Sequence, residues 1–175
     1  MSQSVSSAPI LRHIRVRVLK GRNLAAKDVS LFRKRSSDPY YKATFRNVRI
    51  ESEYQRKTLN PVWEPKTLDL GPIVELQADV LEISLFDHDY TKSDDFMGMV
   101  QVAAGDLYRL KPGKHTYWFA LKESQDGKYA NEEVSGEILI EINVIVSFLP
   151  KTHRLLTTCY CSRLKPDDRI DIDIA

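Results

Sequence analysis

The chain has 175 residues, is 42% hydrophobic and 29% charged, and carries a formal net charge of only +2. That is enough apolar material for one core without disulfides, and too little bulk charge for a nucleic-acid binder that works by net charge. No apolar run approaches the length of a membrane-spanning helix, and the N-terminus "MSQSVSSAPI" lacks the basic and apolar regions of a signal peptide.

In chain order, residues 1–10 read as a flexible segment and period-two alternation follows. "HIRVRVL" puts Ile14, Val16 and Val18 on one face and Arg15 and Arg17 on the other. "YYKATF", "RIESEYQRKT", a short stretch around Lys66–Leu70, "VLEISLF", "FMGMVQV", "HTYWFAL" and "GEILIEINVIV" continue the pattern. Alternation over such lengths, rich in β-branched and aromatic residues, predicts half-buried strands. "GDLYRL" near Asp106 is expected to form one short helical turn. The predicted fold class is all-β: an eight-stranded antiparallel Greek-key β-sandwich over residues 11–148. Trp63 and Trp118 are expected in its core. Residues 149–175 form a tail that could add a strand through "RIDIDIA" or serve as a docking element for a protein partner. Cys159 and Cys161, two positions apart, read as free thiols in a reducing compartment.

Function on such a scaffold is expected in the loops at one end. Two loops are acidic. One holds Asp28 and Asp38; the other, "FDHDYTKSDDFMG", holds Asp87, Asp89, Asp94 and Asp95. Two carboxylates at i and i+2 after a strand repel unless a cation neutralises them or one takes a proton. Calcium takes six to eight oxygen ligands and tolerates irregular geometry, whereas zinc would call for a Cys/His cluster that the chain lacks. A lone Asp-x-Asp is ordinarily a solvated turn. Here "LKGRNLAAKD", "SDPYYK", "RKTLNPVWEP" and "GEILIEI" accompany it.

Together these motifs resemble the C2 domain family, a calcium- and phospholipid-binding β-sandwich module, over roughly Leu11 to Val146, in an order similar to the family's type II arrangement. The resemblance implies calcium as cofactor. It implies Asp28, Asp38, Asp87, Asp89 and Asp95 as carboxylate ligands, and the backbone carbonyls of Lys27 and His88 as further ones. Asp94 stands beside the pattern and is expected to be solvated or to support the ligands. The chain departs from the family in one respect: Asp28 and Asp38 are ten residues apart with no glycine between them, and the insertion is "LFRKR".

The resemblance further implies that the calcium loops meet membranes. Leu31 and Phe32 would then enter the interfacial zone, each worth roughly 1.5–3 kcal/mol if fully buried. Arg33, Lys34 and Arg35 would pair with anionic headgroups at about 1 kcal/mol per base, and Tyr90, Thr91 and Lys92 would lie at the second loop tip. The alternative is a long loop whose Leu31 and Phe32 fold back onto the sandwich. A second basic set (Lys42, Arg46, Arg49, Arg56 and Lys57) is interrupted by Glu51 and Glu53 and reads as a solvated strand face.

Enzyme readings find little material. A glycosidase pair faces across a cleft rather than standing at i and i+2. No His-Glu-x-x-His motif, Gly-x-Ser-x-Gly elbow or phosphate-binding glycine loop occurs. The expected function is calcium-dependent binding of anionic phospholipid membranes by a non-enzymatic targeting module. Such a module would be cytoplasmic, peripheral on membranes when calcium rises, and without a nucleic-acid partner. The alternative is a calcium-independent protein–protein interaction module on the same scaffold.

Overall fold

A computed structural model describes residues 10–27, 36–74, 78–125 and 127–148. Eight strands form two antiparallel four-stranded sheets. The strands are β1 (Ile10–Arg22), β2 (Pro39–Phe45), β3 (Val48–Glu51), β4 (Thr67–Ile73), β5 (Val80–Asp87), β6 (Asp95–Ala103), β7 (Gly113–Ala120) and β8 (Glu137–Phe148). One sheet has the order β4-β1-β8-β7 and the other β3-β2-β5-β6. The short helix expected near Asp106 is α1 (Ala104–Arg109), which buries Ala104 and Leu107.

The alternation read from the sequence becomes the core. Ile14, Val16 and Val18 of β1 and Ile138, Ile140, Ile142 and Val144 of β8 beside it in the same sheet join Tyr41, Ala43 and Phe45 of β2 and Leu81, Ile83 and Leu85 of β5 from the other sheet in one buried cluster. Side chains of opposite parity point outward, where β1 pairs with its neighbours: Arg15 Nε donates to Asp69 Oδ2 at 3.1 Å and Arg17 Nη2 to Glu141 Oε1 at 2.7 Å.

Two expectations need correction. The strand read through "RIESEYQRKT" stops at Glu51. Beyond it the amides of Ser52, Gln55 and Thr58 donate to the carbonyls of Tyr41, Pro39 and Ser37. Three residues on one side therefore meet two on the other, which breaks the regular ladder. Trp118 is not a core anchor. It is half-buried on β7, an edge strand, and Arg22 and Lys20 lie over its ring at 4.0 and 5.7 Å. This is the geometry of a cation–π contact on a sheet face.

The β8 strand begins after Gly136, whose φ is +92°. A Cβ there would stand 2.5 Å from the Arg22 carbonyl oxygen and 2.6 Å from that of Asn23. Both the left-handed backbone and the backbone contact demand glycine. Gly136→Ala is expected to lose about 2–4 kcal/mol. The check is the chemical-denaturation midpoint, which should fall at unchanged slope.

Candidate functional site at the acidic end of the sandwich

Antiparallel pairing decides which chain ends meet. β2 begins where β5 ends and β6 begins, so Pro39 pairs with Asp87 and Asp87 with Asp95. Asp38 immediately precedes this row. Asp89 follows β5 by two residues. The Phe-Met-Gly step explains the placement of Asp95. The β5–β6 register shifts between Leu85 and Phe86, with Phe86 opposite Phe96 but Leu85 opposite Gly98. The extra residue is Met97, fully buried, and Gly98 carries φ +127°. A β-bulge of this kind re-aims the side chains on either side of it.

The carboxylates are held in distinct ways. Asp87 is only 2% exposed, and its Oδ1 accepts the Asp38 N–H. Asp38 Oδ1 accepts the Lys57 N–H at 2.7 Å. The loop between β5 and β6 closes on Lys92, whose ammonium lies 2.6 Å from Asp95 Oδ2 and 3.1 Å from Asp89 Oδ2. Hydrogen bonds to Asp95 and then Asp89 hold the lysine charged, its pKa well above the ordinary range. Like charges directly across a strand pair, as at Asp87 and Asp95, are unfavourable; Lys92 offsets part of that cost.

Asp94 takes a larger part than its place beside the motif suggests. Its Oδ1 accepts the Asp89 N–H at 3.0 Å, and its Oδ2 accepts the Tyr40 hydroxyl. Burial raises the Asp94 pKa. The Tyr40 hydroxyl, the Asp89 amide and the positive character of His88 and Lys42 outweigh it, so the carboxyl sits below its ordinary value. Burial first, and then Asp94, push the Tyr40 phenol upward. The contact spans 54 residues of sequence, and the only hint of it in the chain is that both positions adjoin the acidic motifs.

An aromatic flank adjoins the acids. The His88 ring lies 4.5 Å from Tyr54 and 4.9 Å from Tyr90. The Tyr54 and Tyr90 hydroxyls meet at 2.6 Å, and Arg56 Nη2 donates to both. Tyr90 is 68% exposed. His88 N–H donates to the Asp38 carbonyl at 3.1 Å, which fixes the loop that follows β5. Lys27 N–H donates to Ser37 Oγ, while its ammonium reaches Glu132 and the Glu133 carbonyl. Tyr54 and Arg56, expected on a strand face, are instead loop residues beside the site. Asp28, Leu31, Phe32, Arg33, Lys34 and Arg35 lie outside the described residues, as do Cys159, Cys161 and the tail from residue 149.

The donor chemistry among the described residues at this end fits calcium: hard carboxylate oxygens on loops, with no thiolate and one imidazole nearby. Asp89 and Asp95 already hold a cation in the form of the Lys92 ammonium. Among the described residues no three His, Cys, Asp or Glu side chains stand together as a ready metal cage. One oxygen each of Asp38 and Asp87 accepts a backbone amide, and Asp89 and Asp95 engage Lys92. No helix among the described residues is long and apolar enough to cross a membrane.

Comparison with known proteins places the fold and motifs together. The model of the C2 domain family matches residues 12–121. Extended synaptotagmin-3 of Mus musculus is 35% identical over 115 residues, which is 66% of this chain and 12% of that protein. Synaptotagmin-3 of Mus musculus is 31% identical over 162 residues, covering 89% of this chain and 25% of that protein. The chain thus spans a quarter or less of the length of these relatives. Among solved structures, a calcium-bound fragment of extended synaptotagmin 2 that contains two C2 domains superimposes with a TM-score of 0.60 at 24% identity, over 78% of this chain and 46% of that one. A single C2 domain of plant extended synaptotagmin 1 superimposes with a TM-score of 0.58 at 21% identity, over 75% and 92%. By motif, strand order and family match, the chain belongs to the C2 domain family.

Proposed function

We propose that this chain is a reversible membrane-targeting module that binds anionic phospholipid surfaces when calcium fills the acidic end of the sandwich, and that it acts by binding rather than by catalysis. The binding unit is residues 11–148. The observation that carries the reading is the cross-strand row formed by Asp38 with Pro39, Asp87 and Asp95, with Asp89 beside it. Asp28 and the carbonyls of Lys27 and His88 complete the proposed ligand set. Without calcium, the carboxylates repel a negative surface. Bound calcium reverses the local sign, and the chain's own groups then face the lipid: Leu31 and Phe32 as the apolar tip, Arg33, Lys34 and Arg35 as the basic collar, Tyr90 and Lys92 on the second loop. The protein would pass from cytosol to membrane as calcium rises.

One observation favours the calcium-independent rival. The ion pairs of Lys92 with Asp89 and Asp95 neutralise part of the cluster with no metal. Co-sedimentation with phosphatidylserine-containing vesicles separates the two. The expected result is pelleting in calcium and release by chelator, with far weaker retention on pure phosphatidylcholine. Equal behaviour in calcium and chelator would remove the calcium switch, and failure to pellet in either would favour a protein-interaction role.

A further inference from the structure

We propose that Lys92 is a tethered counter-ion of the carboxylate cluster and sets how much calcium the domain needs, because its ammonium holds the place between Asp89 and Asp95 that an incoming cation must take. The inference rests on the calcium reading above. Its geometry is specific. Lys92 Nζ reaches Asp95 Oδ2 at 2.6 Å and Asp89 Oδ2 at 3.1 Å, so one ammonium engages an oxygen of each acid. Calcium takes carboxylate oxygens at roughly 2.3–2.6 Å. A divalent ion on these same two oxygens would lie within contact range of the ammonium, and the two positive charges exclude each other. The lysine can leave. Its side chain is 57% exposed, on a flexible four-carbon stem at a loop tip.

The other bases nearby do not play this part. Lys57 offers Asp38 its backbone N–H. Lys42 lies over the Tyr40 and Phe86 rings at 5.0 and 4.5 Å. Arg56 is engaged by Tyr54 and Tyr90. Lys27 Nζ is bound to Glu132. His88 Nδ1 stands 3.4 Å from Asp94, outside the pair that Lys92 bridges. Among the described residues, Lys92 is the base whose charged group spans two of the proposed ligands. The same contacts explain how Asp89 and Asp95 share one site without metal: the chain supplies a monovalent placeholder, and calcium has to outcompete it.

The test is a calcium titration of the full chain by isothermal calorimetry, without lipid, on the parent protein, Lys92→Gln, Lys92→Arg and Lys57→Gln. Removing two solvent-exposed ion pairs should tighten calcium binding by about three- to thirty-fold in Lys92→Gln. Lys92→Arg, which keeps a cation on the same loop, should stay within about threefold of the parent. Lys57→Gln removes a neighbouring charge that bridges no acids and should change little. Melting curves separate competition from simple support of the fold. A competing lysine predicts that Lys92→Gln melts lower in chelator but gains a larger rise on adding calcium, whereas a purely structural lysine predicts the same loss in both conditions. Calcium binding by Lys92→Gln alone, with a silent parent, would support the inference in its strongest form. Unchanged or weaker binding in Lys92→Gln, or an equal gain in Lys57→Gln, would overturn it and leave the calcium reading standing. Silence in both the parent and Lys92→Gln would overturn the calcium reading and this inference with it.

Discussion

Asp87→Asn is expected to erase most of the melting-temperature rise that calcium produces in the parent chain. A ligand that binds only the folded state adds RT ln(1 + [L]/Kd), about 2.7 kcal/mol at a hundredfold excess over Kd. At about 2–4 °C per kcal/mol for a chain of this size, the parent should rise by roughly 5–10 °C. Asp87 stands opposite both Pro39 and Asp95 and is the buried member at the centre of the row, so its charge is the one least screened by solvent. Asparagine keeps the shape and can still accept the Asp38 N–H through its carbonyl oxygen. The fold in chelator should therefore survive, while the charge that attracts the ion is gone. Asp89→Asn should behave similarly. Asp94→Asn is the contrasting case: its oxygens are committed to the Tyr40 hydroxyl and the Asp89 amide, so most of the calcium shift should remain. Differential scanning fluorimetry in calcium, magnesium and chelator reads all three. Loss of the shift in Asp94→Asn with retention in Asp87→Asn would show that the ion sits on a different set of oxygens.

Trp63→Ala should remove about 3–5 kcal/mol, a large share of the roughly 5–15 kcal/mol that holds a domain folded. The ring is 2% exposed and packs edge-on against Tyr41 with centroids 5.3 Å apart. Its Nε1–H donates to the Pro39 carbonyl at 3.1 Å, which ties the core to the residue that follows Asp38. Trp63→Phe separates the two contributions. It keeps much of the ring and removes one of the two donors to the buried Pro39 carbonyl, which still accepts the Gln55 N–H, so the hydrogen-bond loss should be about 0.5–1.5 kcal/mol. Urea unfolding monitored by far-UV circular dichroism gives both values. Equal losses for Phe and Ala would mean that the hydrogen bond, not the packing, anchors this end of β2.

Sequence alone determined the strands of this protein, because alternation is a local property. Ile14, Val16 and Val18 had to share a face whatever they packed against, and the same holds for Leu81, Ile83 and Leu85. The acids were legible for a similar reason: Asp38, Asp87, Asp89 and Asp95 sit in short motifs with recognisable spacing. Tertiary structure decided what those motifs meet. Asp94 finds Tyr40, 54 residues away, only because β2 and β5 pair in one register and the following loop folds back over β2. Trp118 faces outward because the register sets it opposite Leu139, between the core-facing Ile138 and Ile140, and sets Phe119 against the core instead, a parity that "HTYWFAL" with its run of aromatics does not record. The run after Glu51 leaves the ladder because three of its residues meet two of β2, a mismatch that exists only between segments. Lys92 carries no mark of its role in the spacing of "DYTKSDD". A base at a loop tip reads as free to meet lipid until the turn folds its ammonium back onto Asp89 and Asp95, where attraction at about 3 Å outweighs solvation of an exposed charge.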